Sequence, residues 1–201
     1  MGRTLLKIGP ADHGRPMSLD EFEHAKVQEG YLYELSRGVI TVVDVPKKLH
    51  ALQLIAIRRQ FTSYEVSHPG RIVGVLGSME CKLLIPALGS ERHPNVVVYL
   101  TQPPEVEGKD FWSQWIPEIV IEIVSPSSRK RDYEEKPEEY LRMGVKEYWI
   151  VDPRKRAMVV MRRVRNRWVE SVVEPPALYR TRLLPELEFS CEAVFRAAGL
   201  E

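Results

Sequence analysis

Glu122 interrupts the run Ile119, Val120, Ile121, Ile123 and Val124, in which apolar β-branched residues fill odd and even positions alike. That pattern marks a strand buried on both faces. A carboxylate placed there loses its hydration, and it takes up a proton unless a cation or hydrogen bonds compensate. Lys136 and Tyr140 stand four residues apart, so they share one face of the helix expected to fold back after the strand. Upstream, Asn95 opens the apolar run "NVVVYL", and Glu34 precedes the turn in "YELSRG". Oxygen ligands drawn from Glu34, Asn95 and Glu122 would hold Mg²⁺ or Mn²⁺ and leave positions open for water and a phosphate oxygen. Lys136 would orient the attacking water or neutralise transition-state charge. The chemistry served by such a set is metal-assisted hydrolysis of phosphodiesters, with Glu122, Lys136 and Glu34 as its catalytic residues. Arg129, Lys130 and Arg131 follow the strand end, where a phosphate backbone would lie.

Each residue also has a plain structural alternative. Glu122 and Lys136 could form a buried ion pair. Glu34 could be solvated beside Arg37, Asn95 could bond nearby backbone, and the basic triplet could be a solvated loop. His50 reads as a satisfied structural histidine. Ser125, Ser127 and Ser128 have neither a nucleophile elbow nor a histidine at useful spacing, which argues against a serine hydrolase. Tyr140 and Trp149 read as core or lid aromatics.

The elements that must position these groups follow from patterning. Ser18 and Glu21 form a capping box that starts a helix over 18–29. A hairpin follows, with Ser36, Arg37 and Gly38 at its turn. Leu49, Leu52, Ile55, Ala56 and Phe61 fall at helical spacing over 47–64. Strands are expected at 72–76, 80–85, 95–100 and 118–124. The Pro-rich segment 101–117 reads as a loop. Pro137 leaves two readings for the next helix: a start near Lys136, or a start at Asp132 with a bend. Gly144 ends that helix, and "KEYWIVDP" is again a strand. A hairpin over 156–163 and 167–173 and a short helix capped by Ser190 complete the chain. Strand, helix, strand in this order suggests a parallel crossover within a mixed sheet.

The bulk numbers fit one globular unit. A 201-residue chain with 44% hydrophobic residues buries a core of ordinary size. The expected organisation is a single domain over 1–201, with an N-terminal helix and hairpin (18–45), a core (47–163) and a C-terminal hairpin and helix (164–201). No apolar run reaches membrane-spanning length and no secretory signal is evident, so the expected location is the cytoplasm. Cys81 and Cys191 follow no metal-ligand spacing and read as reduced, buried thiols. The net charge of +1 does not by itself demand a nucleic-acid partner, although seven Lys or Arg and no acid fall between Arg154 and Arg167.

Residues 117–153, with "YLYELSRG" and "RHPNVVVYL" upstream, resemble the bacterial putative restriction endonuclease family of the PD-(D/E)XK nuclease superfamily. The resemblance runs from about Glu29 to Arg163. It implies an α/β (α+β) restriction-endonuclease-like fold with a mixed central β-sheet flanked by helices, a Mg²⁺- or Mn²⁺-dependent endonuclease activity on DNA, and a homodimer. By position, Glu34 matches the family's early acidic residue and Glu122 the glutamate of its second motif. Val124 stands where the superfamily lysine usually is, and Lys136 matches a lysine on the next helix that replaces it. Asn95 departs from the pattern, which has aspartate after Pro94; an amide can ligate a hard cation but brings no charge. The alternative function is a catalytically inactive nuclease fold serving as a nucleic-acid-binding or protein-interaction module. Phe111, Trp112 and Trp115 in the 101–117 segment would, if exposed, form an apolar patch suited to a dimer interface.

Overall fold

The computed structural model describes residues 6–43, 47–106, 108 and 111–200. The end of the expected first hairpin, at 44–45, and part of the 101–117 segment lie outside these residues.

The β-branched runs assemble a six-stranded mixed sheet in the order Arg167–Val173, Ala157–Val164, Glu147–Asp152, Ile119–Ile123, Val96–Tyr99, Gly74–Gly77. Only Ile119–Ile123 and Glu147–Asp152 run parallel, with Glu122 opposite Ile150, as the strand, helix, strand order suggested. Val96–Tyr99 pairs antiparallel on the other side of Ile119–Ile123, so the glutamate strand is central. Apolar layers cover both faces. Phe61, Trp149, Phe189 and Phe195 lie on one side, and Val97, Val120, Tyr140 and Tyr148 on the other. That double covering explains why these strands lack polar alternation.

A second, four-stranded sheet contains the first hairpin, Leu32–Ser36 and Val39–Val43, joined to Ser90–Arg92 and Leu83–Ile85. The strand expected at 80–85 therefore belongs to this smaller sheet, and Ser90–Arg92, too polar to announce itself, is an added member. The N-terminal helix is shorter than patterning suggested. Its capping box forms as expected, but the helix covers only Leu19–Glu23, because Lys26–Val27 leaves it to pair with Lys7–Ile8.

The long helix Lys48–Ser67 buries Gln53, Ile57, Phe61 and Tyr64, whereas Leu49 and Ile55 are about half exposed. The buried stripe is thus rotated from the expected one, because Gln53 holds an inward position that an apolar count assigns to solvent. The two readings around Pro137 resolve into a third. Helical backbone begins at Arg129 and runs to Met143, with a π turn over Arg131–Glu135 in which Lys136 N donates to Arg131 O. The wide turn falls over the carbonyls that the Pro137 ring would otherwise meet. Gly144, at φ 110, ends the helix in the left-handed region.

The "FWSQWIP" segment is not an exposed patch. Phe111–Gln114 forms one helical turn, Trp115 stacks on Tyr99 at 3.8 Å between ring centroids, and Trp115 Nε1 donates to Thr101 O. Trp112 and Trp115 pack on the protein's own core, which removes the patch argument for a dimer. The C-terminal hairpin, Ala157–Val164 with Arg167–Val173, and the helix Cys191–Ala197 capped by Ser190 Oγ at Ala193 N form as expected. Among the described residues, no helix is long and apolar enough to cross a membrane.

Candidate active site

The last residues of the Ile119–Ile123 strand, the π turn and the smaller sheet meet around Glu122. Glu122 is buried, and its Oε1 accepts from Lys136 Nζ at 2.8 Å and from the Tyr140 hydroxyl at 3.0 Å. Its Oε2 accepts from the Asn95 backbone N–H at 3.2 Å. Lys136 Nζ also donates to Asp132 Oδ1 at 2.8 Å. The sequence expectation that a carboxylate and an ammonium converge across strand and helix is met, and Tyr140 joins them. Tyr140→Phe removes one hydrogen bond while keeping the ring, so it is expected to cost about 1 kcal/mol, roughly 2–4 °C in Tm by thermal denaturation.

The two other expected ligands are already engaged. Asn95 Oδ1 accepts from the Ile123 N–H at 2.8 Å, so this side chain ties its loop to the glutamate strand while its backbone fixes Glu122. Glu34 accepts from Arg92 Nη1 at 3.1 Å and from the His93 N–H at 3.1 Å. Arg92 is fully buried and also reaches Glu139 through Nε at 2.7 Å and Ser36 Oγ through Nη2 at 2.7 Å. Sequence reading missed Asp132, Arg92 and Glu139. For Asp132 the signal was present, a carboxylate four residues before Lys136; Arg92 and Glu139 pair across 47 residues and leave no local pattern.

The electrostatics follow from burial and from too few cations. Burial alone would raise Glu34, but Lys136, Arg92 and the His93 N–H hold it down to about 2. Burial opposes the charge on Lys136, but Asp132, Glu122 and Glu34 outweigh it and keep the ammonium protonated. Glu122 is the carboxylate whose charge this imbalance disfavours. Burial pushes it up to about 7 against the pull of Lys136, and Asp132 and Glu34 add to the rise. The ammonium is shared with Asp132, so it does not fully offset the desolvation of Glu122.

A cavity of about 880 Å³ adjoins this cluster. Glu34, Asn95, Glu122, Asp132, Lys136 and Arg131 all contribute to its lining. Of the three expected phosphate contacts, Arg129 is committed elsewhere: its Nη2 lies 3.0 Å from Asp152 Oδ1 and its guanidinium sits over the Tyr133 ring. Lys130 is exposed, and Arg131 Nε is buried without a hydrogen-bond partner among the described residues. His50 also lines the cavity, and its buried Nε2 has no hydrogen-bond partner among the described residues. It is therefore not the satisfied histidine expected. Ser125 and Ser128 bond each other at 3.0 Å between hydroxyls, closing the loop between strand and helix.

Among the described residues, no group of three or more His, Cys, Asp or Glu side chains is placed to hold a metal ion. Mg²⁺, however, commonly uses only one or two carboxylates, completing its shell with water and phosphate oxygens. The buried Asp132 Oδ2 has no donor among the described residues, and the carboxylates around Glu122 outnumber the cations. Both features fit a hard cation held by Asp132 and Glu122.

A mixed sheet carrying a buried glutamate on its central strand, faced by a lysine from the following helix, defines a restriction-endonuclease-like fold. The chain belongs to the Uma2 family, described as "Putative restriction endonuclease", which matches residues 19–192. A solved structure described as a putative nuclease belonging to DUF820 from Anabaena variabilis ATCC 29413 is similar in fold. It has a TM-score of 0.72 at 22% identity, over 91% of this chain and 99% of that one. No curated protein matches the chain.

Proposed function

We propose that the protein is a divalent-cation-dependent nuclease that hydrolyses phosphodiester bonds of DNA at the Glu122 cluster. The observation that carries this reading is the meeting of Glu122, Lys136 and Asp132 in the lining of a cavity, in a chain of an endonuclease family. Asp132 and Glu122 are the residues that would hold Mg²⁺ or Mn²⁺. When bound, the ion supplies Lewis-acid polarisation of a phosphate oxygen and a more acidic water. Lys136, kept charged, donates hydrogen bonds to the attacking water or the developing negative charge on the phosphoryl oxygens. Tyr140 and the Asn95 N–H hold the Glu122 carboxylate in one orientation. Glu34, anchored by Arg92, adds a fixed negative charge beside Lys136. Water oxygen bonds to phosphorus and loses a proton to bulk water, the ester P–O bond breaks, and the leaving oxygen takes a proton from bulk water.

Incubation of labelled oligonucleotides with the protein in Mg²⁺, Mn²⁺ or EDTA is the test. Cleavage in the two metals and none in EDTA is the expected result; no cleavage in either metal would reject it. The second reading, a nucleic-acid-binding or interaction module without hydrolysis, draws on Asn95 replacing an aspartate and on the direct Lys136–Glu122 contact. Both readings involving DNA predict affinity that falls with salt. Arg131→Ala and Lys130→Ala should each lower the slope of log affinity against log salt by about 1. Arg129→Ala, whose side chain is committed to Asp152, should change it less. Equal slopes for wild type and all three variants in a fluorescence-anisotropy titration would remove this loop from the DNA contact.

A further inference from the structure

The reactive groups line a half-open cavity whose other walls are largely aromatic, aliphatic and acidic. Glu122, Asp132 and Lys136 are 2%, 1% and 4% exposed, so a phosphate reaches them only through the cavity. At about 880 Å³ the cavity falls within the roughly 300–1,000 Å³ typical of small-molecule sites. Its walls include the aromatic side chains of Phe22, Tyr31, Tyr33 and Trp112, with Leu49 and Met79 beside them. Carboxylates in the lining outnumber lysines and arginines, which disfavours a long polyanionic surface. Two polar side chains one turn apart on the Lys48–Ser67 helix also line the cavity. Gln53 is 4% exposed, and Gln53 Nε2 and His50 Nε2 are both buried without a hydrogen-bond partner among the described residues.

A paired duplex keeps its bases stacked inside and offers such walls only phosphates and sugars. An unpaired nucleotide offers a flat apolar face for aromatic walls and a hydrogen-bonding edge for polar groups. We propose that the cavity receives one unpaired nucleotide, its base among the aromatic walls with its edge toward His50 and Gln53, and its phosphate at Glu122 and Lys136. The preferred substrate is then single-stranded DNA, a frayed end or an extruded nucleotide rather than the interior of a stable duplex. This rests on the nuclease reading of the same cluster, and it adds His50 and Gln53 as specificity residues that take no part in hydrolysis.

The test uses a fluorescein-labelled single strand of about 12 nucleotides and the duplex of the same sequence. Binding is measured by anisotropy in Ca²⁺ and cleavage in Mg²⁺ and Mn²⁺. The expected result is tighter binding and faster cleavage of the single strand. His50→Ala and Gln53→Leu should each weaken single-strand binding about fivefold without altering duplex binding. Gln53→Leu keeps the buried volume, and thermal denaturation identifies a variant that has not folded; His50, only half-buried, provides the independent arm. Equal handling of both DNA forms, or variants that leave single-strand affinity unchanged, would overturn the proposal. Cleavage of both forms alike overturns the pocket and leaves the nuclease reading intact. Binding of the single strand through His50 and Gln53 without cleavage in any metal supports the pocket and overturns the nuclease reading. Binding of neither form overturns the pocket.

Discussion

Lys136→Met is expected to destabilise the fold by about 3–5 kcal/mol at neutral pH, because it leaves buried carboxylates without their cation. For a chain of this length that is a fall in Tm of roughly 6–20 °C. The loss depends on pH in a direction fixed by the charges. Glu122 is already pushed up to about 7, and without the ammonium it rises further. A carboxylate whose folded pKa exceeds its unfolded value contributes stability that is complete below the unfolded value and lost as pH rises through the folded one. The variant should therefore approach wild-type stability near pH 5 and fall furthest behind near pH 8. Denaturant titrations at pH 5, 7 and 8 measure this; a deficit equal at all three would mean that only packing was lost. At a pH where the variant is folded, hydrolysis should still drop at least ~10²-fold, since the charge that faces the phosphoryl group is gone.

Asn95→Asp is expected to act in opposite directions with and without a divalent ion. Asn95 Oδ1 bonds the Ile123 N–H, a contact an aspartate oxygen can keep, while the second oxygen brings negative charge beside Glu122. In EDTA the two carboxylates repel, one protonates, and the fold should lose roughly 1–3 kcal/mol. In Mn²⁺ at a hundredfold excess over Kd, ion binding to the native state returns about 2.7 kcal/mol, roughly 5–11 °C in Tm. Cleavage should rise with it. Adding Glu122→Gln should abolish the metal-induced rise. An aspartate variant with no metal response in Tm would mean that positions 95 and 122 share no ion, and Glu122 would then be a structural partner of Lys136.

How much of this was legible depends on how far apart the cooperating residues stand in the chain. Periodicity sufficed where a whole element shares one environment: the doubly covered strand around Glu122, the two hairpins, and the parallel pairing of Ile119–Ile123 with Glu147–Asp152. It failed where one inward position is polar, as at Gln53, whose presence rotated the expected face of its helix. The convergence of Glu122 with Lys136 was readable because only 14 residues separate them and one connection joins their elements. Arg92 was not, since its carboxylates come from a hairpin 58 residues upstream and a helix 47 residues downstream. The π turn was likewise hidden, because Pro137 signals a disturbance but not which relaxation the backbone adopts. The aromatic segment near Trp115 misled because composition alone cannot tell a side chain folded onto its own core from one left for a partner.

The central claim is that the Glu122 cluster hydrolyses phosphodiester bonds, and single-turnover cleavage of a 5′-labelled single-stranded oligonucleotide in Mn²⁺ tests it most directly. Wild type and Glu122→Gln should be compared at a temperature where thermal denaturation shows both to be folded. The account predicts cleavage by the wild type, none in EDTA, and a rate at least ~10²-fold lower in the glutamine variant. Equal rates for the two proteins would place the activity elsewhere, and a wild type that cuts nothing in Mn²⁺ or Mg²⁺ would contradict the claim outright.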